Sequence, residues 1–164
     1  MLKIKDLALK QKELDIFVHK NNNTDFKTTY KLREIALFVE IGELANEIRS
    51  FKFWAAKQKS NKLILLEEYS DCLHFLLSLG NDLEFDWDLI ELNPKFEKQS
   101  INELLLNIFL QTSNFVQSNS KKDFLILFKK FLVLKTYLYF TNKEVFNSYY
   151  QKHSINITRQ KTNY

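Results

Sequence analysis

The chain has 164 residues, of which 45% are hydrophobic and 27% charged, and this composition predicts a folded globular protein and excludes an intrinsically disordered one. Two glycines and one proline are too few for a fold with many tight turns, so a β-rich fold is excluded and long helices are favoured. The net charge of +4 is modest and the lysines are scattered, so a nucleic-acid-binding groove is not indicated.

The first predicted helix covers residues 2–20. Four of its residues recur at helical spacing, and one of the four is an amide in an otherwise apolar stripe: Leu7, Gln11, Leu14 and Val18. We therefore expect Gln11 to face the interior. The polar run 21–25 ends this helix and offers N-cap residues to the next one.

The second predicted helix extends to about Ser50. A connector, residues 51–61, is rich in aromatic and lysine side chains and leads to the third helix. We predict that the third helix ends near Gly80, with this glycine as the left-handed residue that terminates it. Two connector lysines, Lys52 and Lys57, are long enough to reach a phosphate, although most surface lysines are simply hydrated.

The second half of the chain contains three more predicted helices. Residues 81–99, which include the sole proline, form an irregular acidic crossover. The segments Ser100–Glu103 and Thr141–Glu144 each have the form of a capping box, and they start the fourth and the sixth helix. The fifth helix begins near Lys121, and the last one continues into a polar tail that runs to Tyr164.

These elements predict an all-α bundle of about six helices in a single domain, residues 1–164. The most apolar stretch, 124–140, contains three lysines, so we do not expect a membrane-spanning helix. Residues 104–110 and 124–139 are more apolar than one small bundle needs, and we expect them to form a subunit interface. A single cysteine and the absence of a secretory leader favour the cytoplasm.

Two of the predicted helices carry acidic residues on one face. Glu40, Glu43 and Glu47 share one arc of the second helix. The third helix has a polar arc of five residues: Glu67, Glu68, Asp71, His74 and Ser78. Because the connector between the two helices is short, we expect them to be antiparallel neighbours whose acidic arcs converge.

Like charges stacked within one helical turn repel each other, and this repulsion favours a bound cation. Carboxylates without cysteine or a histidine pair suit Mg²⁺ or Mn²⁺ better than Zn²⁺. From the spacing alone, a solvated acidic face is as well supported as a metal site.

The acidic pattern E-x-x-E followed by E-x-x-D is carried by Glu40, Glu43, Glu68 and Asp71. It resembles the all-α nucleoside triphosphate pyrophosphatase superfamily, which includes the MazG-like enzymes and the dimeric dUTPases. The longer strings 40–54 and 66–80 are similar to the dimeric dUTPase branch. The resemblance implies a homodimeric, Mg²⁺-dependent enzyme that hydrolyses dUTP to dUMP and pyrophosphate, with dUDP as a further candidate substrate.

The resemblance also implies roles for these acids. All four would be metal ligands, for Mg²⁺ or alternatively Mn²⁺. One carboxylate should accept the proton of the attacking water, and Glu40 is our first choice for this base, with Glu43 second.

Two terminal segments, 11–15 and 152–160, resemble the opening helix and the closing motif of the same branch. The resemblance places five side chains around a uracil: Gln11, Trp54, His74, Phe75 and Asn156. It assigns Lys152 and Arg159 to the phosphates. Asp15 stands where some relatives carry a different polar residue, and residues 81–135 carry no matched motif.

Two alternatives remain open at this point. One is a pyrophosphatase of the same superfamily with broader or dCTP-directed specificity. The other belongs to a different class, a catalytically idle helical binding protein that retains the fold. Hydrolysis of a nucleotide panel with and without Mg²⁺ separates these alternatives from a dUTPase.

Overall fold

The computed structural model describes residues 3–56, 58–95 and 98–162 of the chain. Within these residues it contains six α-helices and no strand: α1 Ile4–Asn21, α2 Phe26–Ile48, α3 Lys62–Asp82, α4 Ile101–Ser118, α5 Lys121–Tyr137 and α6 Asn142–Lys161. A short 3₁₀-helix, Trp87–Leu89, lies between α3 and α4. The predicted all-α fold of about six helices is therefore confirmed.

The helices begin where the sequence supplies side-chain caps. The Ser100 and Thr141 hydroxyls accept hydrogen bonds from the backbone N–H groups of Glu103 and Glu144, whose carboxylates bond back, so both predicted capping boxes are present. A third capping box, formed by Asp25 with Thr28, starts α2. These caps satisfy N–H groups that the first turn of a helix leaves without a partner.

The central helix is α3, which packs against α1, α2, α5 and α6. Most of its length is buried, and its core contribution is mainly leucine: Leu65, Leu66, Leu73, Leu76, Leu77 and Leu79. Because α3 is surrounded, several of its polar side chains are buried against neighbouring helices, including Ser70, His74 and Ser78. None of the described helices has an apolar run long enough to cross a bilayer.

The third helix ends near Gly80, as predicted, but the prediction that Gly80 is the left-handed residue is wrong. The helix continues to Asp82, and the left-handed residue is Glu84, with φ of 49°. The N–H groups of Glu84 and Phe85 bond the carbonyls of Asn81 and Gly80, which is the Schellman pattern. Gly80 has no left-handed φ; its role is to leave space for side chains that pack against the backbone of α3.

A Cβ atom at position 80 would lie 2.6 Å from Phe124 Cζ and 2.6 Å from Trp87 Cη2. The glycine therefore allows the aromatic rings of the 3₁₀-helix and of α5 to approach the backbone of α3. Through this contact, Trp87 packs the crossover between α3 and α4 against the core.

The expectation that 124–139 forms a subunit interface is also wrong for most of this stretch. Its large apolar side chains are buried within the same chain, including Phe124, Leu127, Phe128 and Phe131 at 0% exposure. They pack against α3, α4 and the 3₁₀-helix. On α4, by contrast, Leu106 and Leu110 remain 64% and 59% exposed.

We predict that Gly80→Ala lowers the unfolding free energy by about 1–3 kcal/mol, because the added methyl group overpacks a rigid aromatic contact. Urea denaturation monitored by circular dichroism measures this change. Gly42→Ala is the matched control, since a Cβ there meets nothing within 4 Å. The control should gain up to about 1 kcal/mol from helix propensity. Equal stability of the two variants would contradict the packing role of Gly80.

Candidate active site

A cleft of about 760 Å³ lies between α1, α2, α3 and α6. One end is lined by acidic side chains of α2 and α3 together with two basic residues of α6. The other end is lined by buried polar side chains of α1, α2 and α3. The cleft is therefore divided into a charged half and a hydrogen-bonding half, called the neutral half because its two buried charged side chains, Asp15 and Arg33, are of opposite sign.

The charged half is built on three carboxylates from two helices. Glu40 on α2 and Glu68 and Asp71 on α3 each have a carboxylate oxygen within 4.8 Å of the other two. The i, i+3 spacing of Glu68 and Asp71 puts them one above the other on a single face of α3. The packing of α2 against that face then brings Glu40 to the same point.

The remaining acids of the predicted arcs are placed differently. Glu43 is exposed and lines the cleft, but it is outside the close group of three carboxylates. Glu47 does not line the cleft, and its carboxylate accepts a hydrogen bond from the Ser60 hydroxyl. The structure thus brings three of the four predicted ligands together and leaves the fourth at the rim.

Mutual repulsion and burial disfavour negative charge in this group. Burial, followed by the charges of Asp71, Glu43 and Glu68, raises the pKa of Glu40 to about 7. Burial is also the main cause of the raised pKa values of Glu68 and Asp71. The three carboxylates therefore form a site whose negative charge is relieved by a proton or by a cation, and their oxygens could hold a metal ion.

Lys152 on α6 supplies part of that compensation. Its Nζ lies 2.7 Å from Asp71 Oδ2 and 3.1 Å from Glu67 Oε1. Burial lowers the pKa of Lys152, but the hydrogen bonds and charges of Asp71 and Glu67 outweigh it, and the net shift is upward. Lys152 is thus paired with two of the five acids that line this half of the cleft.

The neutral half contains a chain of hydrogen bonds centred on Gln11, which is 4% exposed as the inward-facing prediction requires. Gln11 Oε1 lies 2.6 Å from His74 Nδ1 and accepts a hydrogen bond of 2.9 Å from the Tyr149 hydroxyl. Gln11 Nε2 donates to Asp15 Oδ1 at 2.7 Å. The ring of Tyr149 stacks on His74, with centroids 4.2 Å apart.

His74 is a neutral imidazole in this environment. Burial lowers its pKa to about 3, and the nearby charges of His153 and Lys152 act in the same direction. Its Nε2 atom is buried and has no hydrogen-bond partner in the protein. An unpaired buried nitrogen costs free energy unless a ligand satisfies it.

The other predicted binding residues fall into two groups. Phe75, Asn156 and Arg159 line the cleft. Trp54 does not; it is 65% exposed on the connector, where its ring contacts Phe51 and Phe53 edge to face.

The two connector lysines do not add to the described cleft. Lys52 bonds the Asn46 side chain and lies over the ring of Phe51. Lys57 is outside the described residues.

Two buried residues of the cleft are absent from the predicted site, Asp15 and Arg33. Arg33 donates to Ser78 Oγ at 2.9 Å and forms an ion pair with Asp82. Asp15 is 7% exposed and accepts a hydrogen bond from the side-chain amide of Gln11. The sequence does contain a signal for each, since Asp15 is four residues after Gln11 and Arg33 seven residues before Glu40, both helical repeats on one face.

A family model described as dUTPase matches residues 3–164. The chain belongs to this family. Membership implies a nucleoside triphosphate pyrophosphohydrolase of the dUTP diphosphatase type and disfavours the idle binding protein. A search of curated proteins found no match.

We predict that Glu40→Gln stabilises the metal-free protein at pH 8. The folded state holds a proton on Glu40 up to about pH 7, whereas the unfolded chain loses it near 4.5. The unfolding free energy therefore falls as pH rises through this window, and the fall is complete above about 7. A glutamine carries no charge to repel Glu68 and Asp71.

The measurement is thermal unfolding in EDTA from pH 5 to pH 8. The melting temperature of Glu40→Gln should exceed that of the wild type by a few degrees at pH 8, and the difference should shrink at pH 5. Glu47→Gln, on the same helix but outside the cleft, should show no such pH-dependent gain. A wild type as stable as Glu40→Gln at pH 8 would contradict the repulsion.

Proposed function

We propose that this protein hydrolyses dUTP to dUMP and pyrophosphate in the cleft described above, with a divalent cation bound at its acidic end. The observation that carries the proposal is the meeting of Glu40, Glu68 and Asp71 from two helices. Family membership supports the same class of reaction.

The donor set fits Mg²⁺, with Mn²⁺ as the alternative. The group contains only carboxylate oxygens, which hard divalent cations prefer, and it lacks the thiolates or imidazole pairs that select zinc. Glu40, Glu68 and Asp71 would hold the cation, and Glu43 at the rim would join them. When bound, the cation neutralises charge on the phosphate oxygens of the substrate.

The protein side of the reaction requires a base and a phosphate anchor. Glu40 is the proposed base, because its carboxylate lines the acidic end of the cleft and, in the metal-free protein, burial and its neighbours raise its pKa to about 7. Glu43, which is more exposed, is the second candidate. The proton would pass from the attacking water to a carboxylate oxygen.

Lys152 and Arg159 are proposed to hold the phosphates. Both line the cleft from α6. Lys152 is bound to Asp71 and Glu67 in the substrate-free protein. Once a cation compensates Asp71, the ammonium group becomes available to the incoming triphosphate, whose charge it matches.

The neutral half of the cleft is proposed to bind uracil through Gln11, His74, Phe75 and Asn156. The unpaired Nε2 of His74 would accept a hydrogen bond from the N3–H group of uracil. Cytosine has a lone pair at N3, so it would leave this nitrogen without a donor. A role for Trp54 at the base stays a prediction, because Trp54 would have to move from its position on the connector.

A homodimer is part of the proposal. The helix α2 exposes three large apolar side chains at helical spacing, Leu32, Ile35 and Val39, at 62%, 60% and 51% exposure. A second copy of the chain would cover this stripe, and sedimentation equilibrium would detect the dimer. A cytoplasmic location, where the nucleotide pool lies, belongs to the same proposal.

We predict that Glu40→Gln and Asp71→Asn lower kcat on dUTP by about 10²–10⁴-fold, because each removes charge from the site and Glu40 also accepts a proton. Pyrophosphate release in the presence of Mg²⁺ measures the rate, and circular dichroism verifies the fold. Glu47→Gln is the matched control and should retain wild-type kcat. Full activity of Glu40→Gln would remove Glu40 from the catalytic role.

The same assay should be run with dUTP, dCTP and dTTP. A dUTPase prefers dUTP, whereas a broader or dCTP-directed enzyme does not. We predict that His74→Phe lowers the ratio of kcat/KM for dUTP over dCTP by about ten-fold or more, because it keeps the aromatic contact with Tyr149 but removes the Nε2 acceptor. An unchanged ratio would exclude His74 from base selection.

A further inference from the structure

The polar chain behind the base end of the cleft consists of four buried side chains from three helices. Asp15 and Gln11 come from α1, His74 from α3 and Tyr149 from α6. Asp15 is 7% exposed and His74 is 5% exposed. Asp15 Oδ2 and His74 Nε2, at the two ends of the chain, are buried without a hydrogen-bond partner.

The direction of every hydrogen bond in the chain follows from Asp15. An ionised carboxylate can only accept, so Gln11 must present its NH₂ group to Asp15 Oδ1, 2.7 Å away. The oxygen of Gln11 then faces the Tyr149 hydroxyl and His74 Nδ1, at 2.9 Å and 2.6 Å. Both of these groups must donate to it.

A neutral imidazole has one N–H group and one lone pair. Since Nδ1 of His74 carries the proton, Nε2 carries the lone pair. The proposed contact with the N3–H group of uracil needs this tautomer. The opposite tautomer would present N–H to the base and would favour the N3 lone pair of cytosine.

We infer that Asp15 is a positioning residue that acts through Gln11 to keep the proton of His74 on Nδ1, and that this makes the cleft select uracil over cytosine. The inference about selectivity rests on the proposed function. The inference about the tautomer does not, because it concerns the free protein. Asp15 acts at a distance and need not touch the substrate.

The chain of bonds has a reversed form when Asp15 is protonated. The carboxylic acid would donate to the oxygen of Gln11, whose NH₂ group would then face Tyr149 and His74. The Tyr149 hydroxyl has an alternative acceptor for this form, the carbonyl of Leu7 at 3.2 Å. The proton of His74 would move to Nε2, and the preference for uracil would be lost.

The pKa of Asp15 sets the pH at which the hydrogen bonds would reverse, and this pH lies within a measurable range. Burial raises the pKa of Asp15 to about 6, against the nearby Ser78 hydroxyl, the hydrogen bond from Gln11 and the charges of Arg33 and His19. The groups that face it come from every helix packed around it: Gln11 and His19 on α1, Arg33 on α2, Ser78 on α3 and Tyr149 on α6.

The first test is ¹⁵N NMR of the metal-free protein labelled at its three histidines. At pH 7.5 we expect a pyrrole-type shift for His74 Nδ1 and a pyridine-type shift for Nε2. In Asp15→Leu, which cannot accept from Gln11, the two forms should mix. Tyr149→Phe keeps the ring stacking but removes one donor, so it should show a smaller change in the same direction.

The second test is the ratio of kcat/KM for dUTP over dCTP, with Mg²⁺ present, from pH 5 to pH 8. Effects of the acidic site on the rate are common to both substrates and cancel in the ratio. The ratio should fall as pH drops through about 6 in the wild type and should be independent of pH in Asp15→Asn. Asp15→Leu should lower the ratio about ten-fold or more at pH 7.5.

Asp6→Asn, an exposed carboxylate on the same helix, is the control and should match the wild type in both tests. A protonated Nε2 in the wild type at pH 7.5 would overturn the inference. So would an Asp15→Leu variant that folds and has the wild-type tautomer and the wild-type substrate ratio. If the protein does not hydrolyse dUTP but His74 has the expected tautomer, the proposed function and the selectivity fail, and the positioning role of Asp15 stands.

Discussion

Three carboxylates whose oxygens lie within 4.8 Å of one another repel each other, and the rest of the site is arranged around that repulsion. The packing of α2 against the buried helix α3 holds them together. Lys152 and, less strongly, Arg159 offset part of their charge from α6, but these two cations face five acids. The burial of the leucine-rich core of α3 therefore offsets the cost of holding these carboxylates together, a cost that a proton on Glu40 or the proposed divalent cation would reduce.

The division of the cleft into two halves follows from the same helix packing. The face of α3 that carries Glu68 and Asp71 continues, one turn later, to His74. The acidic end and the hydrogen-bonding end are thus successive turns of one helix, lined from the other side by α1 and α2. A nucleotide has matching parts, a triphosphate that needs cations and a base that needs directed hydrogen bonds. This match supports a nucleotide as the substrate more strongly than the acids do alone.

Much of this arrangement could be predicted from the sequence because it depends on local spacing. The capping boxes at Ser100 and Thr141 depend only on residues three apart, and the convergence of Glu40 with Glu68 and Asp71 follows from helical periodicity and a short connector. The role of Gly80 could not be predicted in this way, because it is required by contacts with Trp87 and Phe124, which only the fold brings against α3. The burial of α5 likewise depends on which helices surround it. The hydrogen bond between Asp15 and Gln11 could have been predicted from their i, i+4 spacing. The proposed effect of Asp15 on His74 could not, because only the fold brings His74 and Tyr149 next to Gln11.

The most direct test of the central claim is the position of a bound cation. A crystal of the protein grown with Mn²⁺ and a non-hydrolysable dUTP analogue should give an anomalous scattering peak bonded to carboxylate oxygens of Glu40, Glu68 and Asp71. A peak held by other residues, with these three carboxylates making no contact to metal, would contradict the claim that their convergence creates the catalytic site.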